Sequence, residues 1–174
     1  WKQGGTSVPG SWDDMMPAAN EESWNGLTGA AAGSGPILAA GANGDMFRYS
    51  VNVIDGVDVY ASYSPSDGTF AIKSSQSFGV KYTGIDGLEV GYAIGDNEGS
   101  SAVTENSVFY AKYAMDAFTI GIQTNEVDSE TADADYDFEA LGVSYAVSDD
   151  MSISYGMAEV SYENSSLTDQ ESGA

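Results

Sequence analysis

From residue 46 onward the chain alternates. Phe47, Tyr49, Val51 and Val53 are separated by Arg48, Ser50 and Asn52. Phe78, Val80 and Tyr82 are separated by Gly79 and Lys81, and Phe118, Ile120 and Ile122 by Thr119 and Gly121. Successive side chains of a strand point to opposite faces, so a sustained period of two predicts strands with two unlike faces. Eight segments read this way, at about 46–53, 57–64, 76–84, 88–95, 105–114, 117–124, 137–147 and 151–162. Residues 1–45 carry turn formers and small residues without alternation, and read as a long irregular loop.

The connections repeat too. Short turns fall at residues 54–56, 85–87, 115–117 and 148–150, each carrying an Asp: 55, 86, 116 and 149. Longer polar loops fall between them, at about 65–75, 95–104 and 125–136. The repeating unit is a hairpin of about 30 residues, with tight turns at one end and long acidic loops at the other. Greek-key sandwiches seldom place all short turns at one end, whereas up-and-down membrane barrels do so routinely.

The faces differ in the solvent they suit. One carries aromatic residues toward the strand ends, among them Phe47, Tyr63, Phe78, Tyr92, Phe109 and Tyr145, as an interfacial girdle would. The other is Gly, Ser, Thr, Asn, Gln and a few charges, a face that suits water and not a packed core. The fold expected is therefore all-β, an antiparallel up-and-down transmembrane β-barrel seen in part. The alternative is a secreted or cell-surface acidic β-sandwich, an adhesin-like binding protein. The discriminating observation is the surroundings of Phe47, Val80, Ile94, Ile120 and Tyr145: lipid for a barrel, a protein core for a sandwich.

Strand one enters a tight turn and strand eight leaves one, so both ends of the set lie on the long-loop side. A complete bacterial barrel with an even strand number keeps its termini on the short-turn side, so the expectation is an internal segment of a larger barrel. Residues 163–174 then begin another external loop. The chain opens at Trp1 without a basic and apolar leader, as expected of a processed chain or a piece of a longer one.

Composition narrows the function. Among 174 residues, 5 Lys and Arg face 27 Asp and Glu, a formal net charge of −22, with no His and no Cys. Such a chain cannot neutralise nucleic-acid phosphates. It cannot build a Ser-His-Asp triad, a thiol nucleophile or a typical zinc site. Acid pairs arise by chance among 27 carboxylates, and no phosphate loop or nucleophile elbow appears, so an enzyme is not expected.

The hairpins FGVKYTGIDGLEVGY (78–92) and FYAKYAMDAFTIG (109–121) resemble those of the Gram-negative general porins, in particular acidic porins of marine and other alphaproteobacteria. The resemblance covers about residues 45–162. It implies a 16-stranded, homotrimeric barrel in the lipid bilayer of a Gram-negative outer membrane, passing small hydrophilic solutes without a cofactor. It implies that residues 1–45 contain the third external loop, folded into the lumen as a constriction. The first strand here would be the sixth of sixteen. Porins of this kind set an acidic loop against a basic wall.

Candidate residues follow. Arg48, Lys81 and Lys112 all fall on the polar parity of their strands, and the early segment carries Asp13, Asp14, Glu21 and Glu22. Facing each other across a pore, these seven would impose a transverse field that favours polar solutes. Asn20 before Glu21, Glu22 and Ser23 reads as a helix N-cap, with a short helix running to about Ala31. Trp12, Met15, Met16 and Trp24 would pack the loop on the wall or anchor it to a trimer neighbour. Asp133, Asp135 and Asp137 fail as an EF-hand, because Phe138 replaces the required Gly and no Glu closes the loop. They leave a weak Ca²⁺ or Mg²⁺ site as a possibility. The net charge points to cation preference.

Overall fold

The computed structural model describes residues 7–17, 27, 46–66, 72–99, 103–130, 135–163 and 168–173. Nine strands form one antiparallel sheet in the order of the sequence. They are β1 (Phe47–Ile54), β2 (Val57–Ser64), β3 (Ile72–Tyr82), β4 (Leu88–Gly99) and β5 (Val103–Met115), followed by β6 (Phe118–Ser129), β7 (Asp135–Ser148), β8 (Met151–Glu163) and β9 (Gln170–Gly173). No second sheet appears among the described residues. The architecture is the up-and-down wall of a partial β-barrel and not a sandwich.

The alternation sets which side each residue takes. Phe47, Val80, Ile94, Ile120 and Tyr145 all lie exposed on one face. In water, so broad an apolar face would be an association surface; in lipid it is at home. Phe118 and Tyr145 sit side by side on it, ring centroids 4.5 Å apart.

The tight turns are braced by the next hairpin. The carbonyl of Gly56 accepts the N–H of Thr83, that of Gly87 the N–H of Ala114, and that of Ala117 the N–H of Ala146, each at 2.8 Å. Gly56 and Gly87 both have φ of +75°, a conformation in which a Cβ is strained. At the third turn Asp116 takes φ of +53° instead, an angle Asp tolerates better than most residues.

Two features differ from expectation. β3, β4 and β6 run four or five residues further into the predicted long loops, β6 reaching Ser129 where the alternation of large apolar residues stops near Ile122. A ninth strand appears within residues 163–174, where an external loop was expected. It has no large apolar residue and is held by backbone pairing to β8, from Met157↔Gly173 to Val160↔Gln170. The helix expected from Asn20 to Ala31 lies outside the described residues.

A Cβ at Gly87 would collide with the Ala114 carbonyl oxygen, in addition to the strain of its φ. Gly87→Ala should therefore destabilise the barrel by about 1–3 kcal/mol. Asp86→Ala beside it should change stability little. Both are measured as the temperature at which the folded form converts to the slow-migrating form on an unheated gel.

Candidate functional site

The site is the inner face of the sheet, opposite the exposed apolar one, where residues 7–17 lie docked. The segment makes a single 3-10 turn, Pro9–Ser11, with Pro9 at its start where a missing N–H costs nothing. Trp12 follows as the anchor. It is almost fully buried, with Tyr60 of β2 at 5.2 Å and Tyr110 of β5 at 5.6 Å, both edge-on. Val8, Met16 and Leu27 join Trp12, Ala93, Val108 and Tyr110 in a continuous apolar cluster.

Docking needs room, and glycine supplies it. A Cβ at Gly79 would meet Val8 at 2.6 Å and Trp12 at 3.0 Å. One at Gly121 would meet Pro17 at 2.8 Å and Met16 at 3.1 Å; one at Gly142 would meet Pro17 at 2.9 Å. A bare backbone at these points lets the loop lie close against the wall.

Polar side chains then satisfy the loop backbone, which has no sheet partner of its own. Gln123 is buried and uses both ends of its amide. Its Oε1 accepts the Met15 N–H at 2.8 Å, and its Nε2 donates to the Trp12 carbonyl at 3.0 Å and the Asp13 carbonyl at 2.6 Å. Asn125 donates to the Asp13 carbonyl at 3.2 Å and accepts from Gln123 at 2.9 Å. At the other end of the segment, the Val8 N–H donates to Ser77 Oγ at 2.9 Å. Buried amides and hydroxyls of this kind are costly unless paired, so they specify one position of the loop.

The candidate charges gather around this docking. Arg48 donates to Ser11 Oγ at 2.8 Å, touching the loop directly. Lys81 lies 6.0 Å from the ring centroid of Tyr60, and Lys112 5.6 Å from that of Tyr110. Both lysines are thus one aromatic ring away from Trp12. Lys112 also pairs with Glu89 at 3.3 Å, and Glu89 accepts the Tyr110 hydroxyl at 3.0 Å. Asp14 is exposed, while Asp13 is half-buried. Burial raises the Asp13 carboxyl above its ordinary value, against backbone N–H groups of Asp13 and Asp14 that favour the charge. Glu21, Glu22 and Trp24 lie outside the described residues.

The metal reading gains nothing. Asp133 lies outside the described residues, and Asp135 accepts the Ser129 N–H at 2.7 Å. Among the described residues no group of three potential ligands could hold a metal ion.

The inner face was expected to suit water rather than a packed core. Beneath the loop it is instead dry, with Ala93, Val108 and Tyr110 fully buried. Gln123, Asn125 and Ser77 were not singled out as functional. Their only signal was glycine inside strands, at 79, 121 and 142, which marks a close approach of other chain.

A one-sheet wall with an apolar outer face and a loop folded onto its inner face is the build of a membrane-channel barrel. The sequence model of the Gram-negative porin family matches residues 2–174, and the chain belongs to that family. No curated protein and no solved structure matches the chain significantly. Its place is the outer membrane of a Gram-negative bacterium, and its family is one of channels rather than enzymes.

Two outcomes test the docking. Trp12→Ala removes the largest buried anchor of the loop and should weaken its docking by about 3 kcal/mol, read as faster protease cleavage after residues 8–17. Asp13 is held above its ordinary value of 3.8, so its ionised form opposes docking. That opposition is absent below about pH 3.8 and grows as pH rises through the raised value. Asp13→Asn should therefore slow the same cleavage at pH 7 and have no effect at pH 3.

Proposed function

We propose that the protein is a passive diffusion channel for small hydrophilic solutes, with a preference for cations, and that residues 1–45 form its constriction. The observation that carries this reading is the docked segment 7–17, held on the inner face by Trp12 and by the amide of Gln123. A loop fixed there takes up cross-section without closing the barrel. Solutes then pass between the loop and the remaining wall, shedding part of their water. A polar solute regains hydrogen bonds and charge contacts at the rim, and an apolar one does not.

The charges proposed at the rim are Asp13, Asp14, Glu21 and Glu22 from the loop, and Arg48, Lys81 and Lys112 from the wall. Their contributions differ. Lys112 is locally neutralised by Glu89, so its field is weak. Arg48 fixes Ser11 and acts mainly on the position of the loop. Asp14, exposed on the loop, is the carboxylate best placed to meet ions. With a net charge of −22, the approach to the pore is negative, and cations are concentrated there. The working assembly proposed is a homotrimer, which rests on the likeness to general porins.

Planar-bilayer recording tests the function. The protein should give stepwise, ohmic conductance, with a reversal potential of cation-selective sign across a salt gradient. Asp14→Asn should lower the cation-to-anion permeability ratio roughly two- to five-fold, as expected for a unit charge worth up to about 1 kcal/mol near an ion in water. Lys112→Gln should change it less. A silent protein, or one with anion-selective reversal, would sink the proposal.

A further inference from the structure

The strands change character halfway along. Near the short turns, the outward residues are apolar: Leu88, Val90, Tyr92 and Ile94 in β4, and Met151, Ile153, Tyr155 and Met157 in β8. Further along the same face they become acidic: Asp96 and Glu98 in β4, Glu126 and Asp128 in β6, Glu139 in β7, Glu159 in β8. The inward residues change the opposite way. Gly142 and Ser144 give way to Ala140 and Phe138 in β7, and Ser154 and Gly156 to Ala158 and Val160 in β8. Phe138 and Val160 are fully buried. The first half of each strand is apolar outside and polar inside. In β7 and β8 the second half is polar outside and apolar inside, the pattern of a sheet in water. In β3 to β6 the outward side turns polar in the same way, while the inward side keeps buried polar groups such as Ser75, Asn97, Asn106 and Gln123.

The border between the halves is not parallel to the register. The last outward apolar residues of β1 and β2, Phe47 and Tyr63, share a register row with Gln76, Asp96, Glu105 and Asp128. In β3 and β4 the last are Phe78 and Ile94, one row nearer the short turns. In β5 it is Phe109, another row nearer. In β6, β7 and β8 they are Ile122, Leu141 and Met157, a third row nearer. The border thus shifts six residues over the seven strand-to-strand steps from β1 to β8. At about 3.3 Å per residue and about 4.8 Å per strand, that is a slope of roughly 30°. Strands of membrane barrels tilt by roughly 35–45°. A level plane crossing tilted strands leaves this trace. The near edge drifts the same way, from Val57 and Tyr82 on one row to Phe118 and Tyr145 two rows beyond.

We infer that lipid hydrocarbon contacts only the three or four outward apolar residues next to each short turn, and that the rest of the wall stands out of the bilayer on the long-loop side. The apolar band is seven residues long in β4 and in β8, about 20 Å measured along the bilayer normal. Five to seven further residues of β4, β5, β6, β7 and β8 form a collar in water, polar and largely acidic outside, and lined inside by buried Val108, Val127, Phe138 and Val160 together with Asn97, Asn106 and Asn125.

The sequence has no cysteine, so single labels are clean. Nitroxides are placed at Tyr92→Cys, Ile122→Cys, Glu126→Cys, Asp128→Cys and Glu139→Cys in the intact polypeptide, reconstituted in phospholipid vesicles. Heat-shifted gel mobility checks that each variant is folded. Relaxation by dissolved oxygen, which concentrates in lipid, should dominate at 92 and 122. Relaxation by a water-soluble nickel complex should dominate at 126, 128 and 139. Residues 92 and 139 lie on one register row, and their opposite readings would establish the tilted plane. Oxygen dominance at 126 and 128 would overturn the inference by placing the whole strand in hydrocarbon. Equal readings at 92 and 139 would overturn the level border.

Discussion

A peptide group in hydrocarbon finds no water, and each unmatched N–H or carbonyl there costs several kcal/mol. That constraint shapes the chain. It requires every strand inside the bilayer to pair on both sides, which an up-and-down sheet achieves with neighbours in sequence. It explains why adjacent hairpins brace one another at Gly56, Gly87 and Ala117, where a turn carbonyl would otherwise be left at the end of the ladder. It also means that β1 and β9, which are not neighbours in this sheet, need further strands beside them wherever they lie in lipid.

The docked loop obeys the same rule by other means. It forms no ladder, so its backbone is matched by side chains: Ser77 for the Val8 N–H, Gln123 for Met15, Trp12 and Asp13. The apolar contribution comes from Trp12 between two tyrosines, and the close fit from three glycines that present no Cβ. The position of the docked segment therefore depends on wall residues far from it in sequence. Gln123 is 110 residues from Asp13.

The halves of the strands next to the short turns were legible because an apolar outer side and a polar or small inner side give a strict alternation of large apolar residues. The tight turns were legible because Asp and Gly at fixed offsets have few other uses. The outer halves of β5, β7 and β8 were legible too, within 105–114, 137–147 and 151–162. Those of β3, β4 and β6 were not: beyond Phe78, Ile94 and Ile122 the outward residues are Gln76, Asp96 and Thr124, so a search for outward apolar residues loses the strand there. The loop was assigned to the wall from its family likeness and its irregularity. Its apolar anchors Trp12 and Met16 were legible as residues that could pack on the wall, but its polar anchors were not, because Gln and Asn on a polar face look alike whether they meet water or a buried carbonyl. The ninth strand has a sequence, QESG, with no strand preference of its own; pairing with β8 is what orders it.

The alternation also bears on how such a protein reaches its destination. To arrive in an outer membrane it must first pass through an inner one. A run of apolar residues long enough for a spanning helix would lodge it there. No helix of the described structure is long and apolar enough to cross a membrane. A strand such as FTIGIQTNEVDS offers its hydrophobicity only every second residue, so it is a poor stop-transfer signal in one bilayer and a good wall in the next. The two-residue period that makes the barrel is what lets its chain be exported.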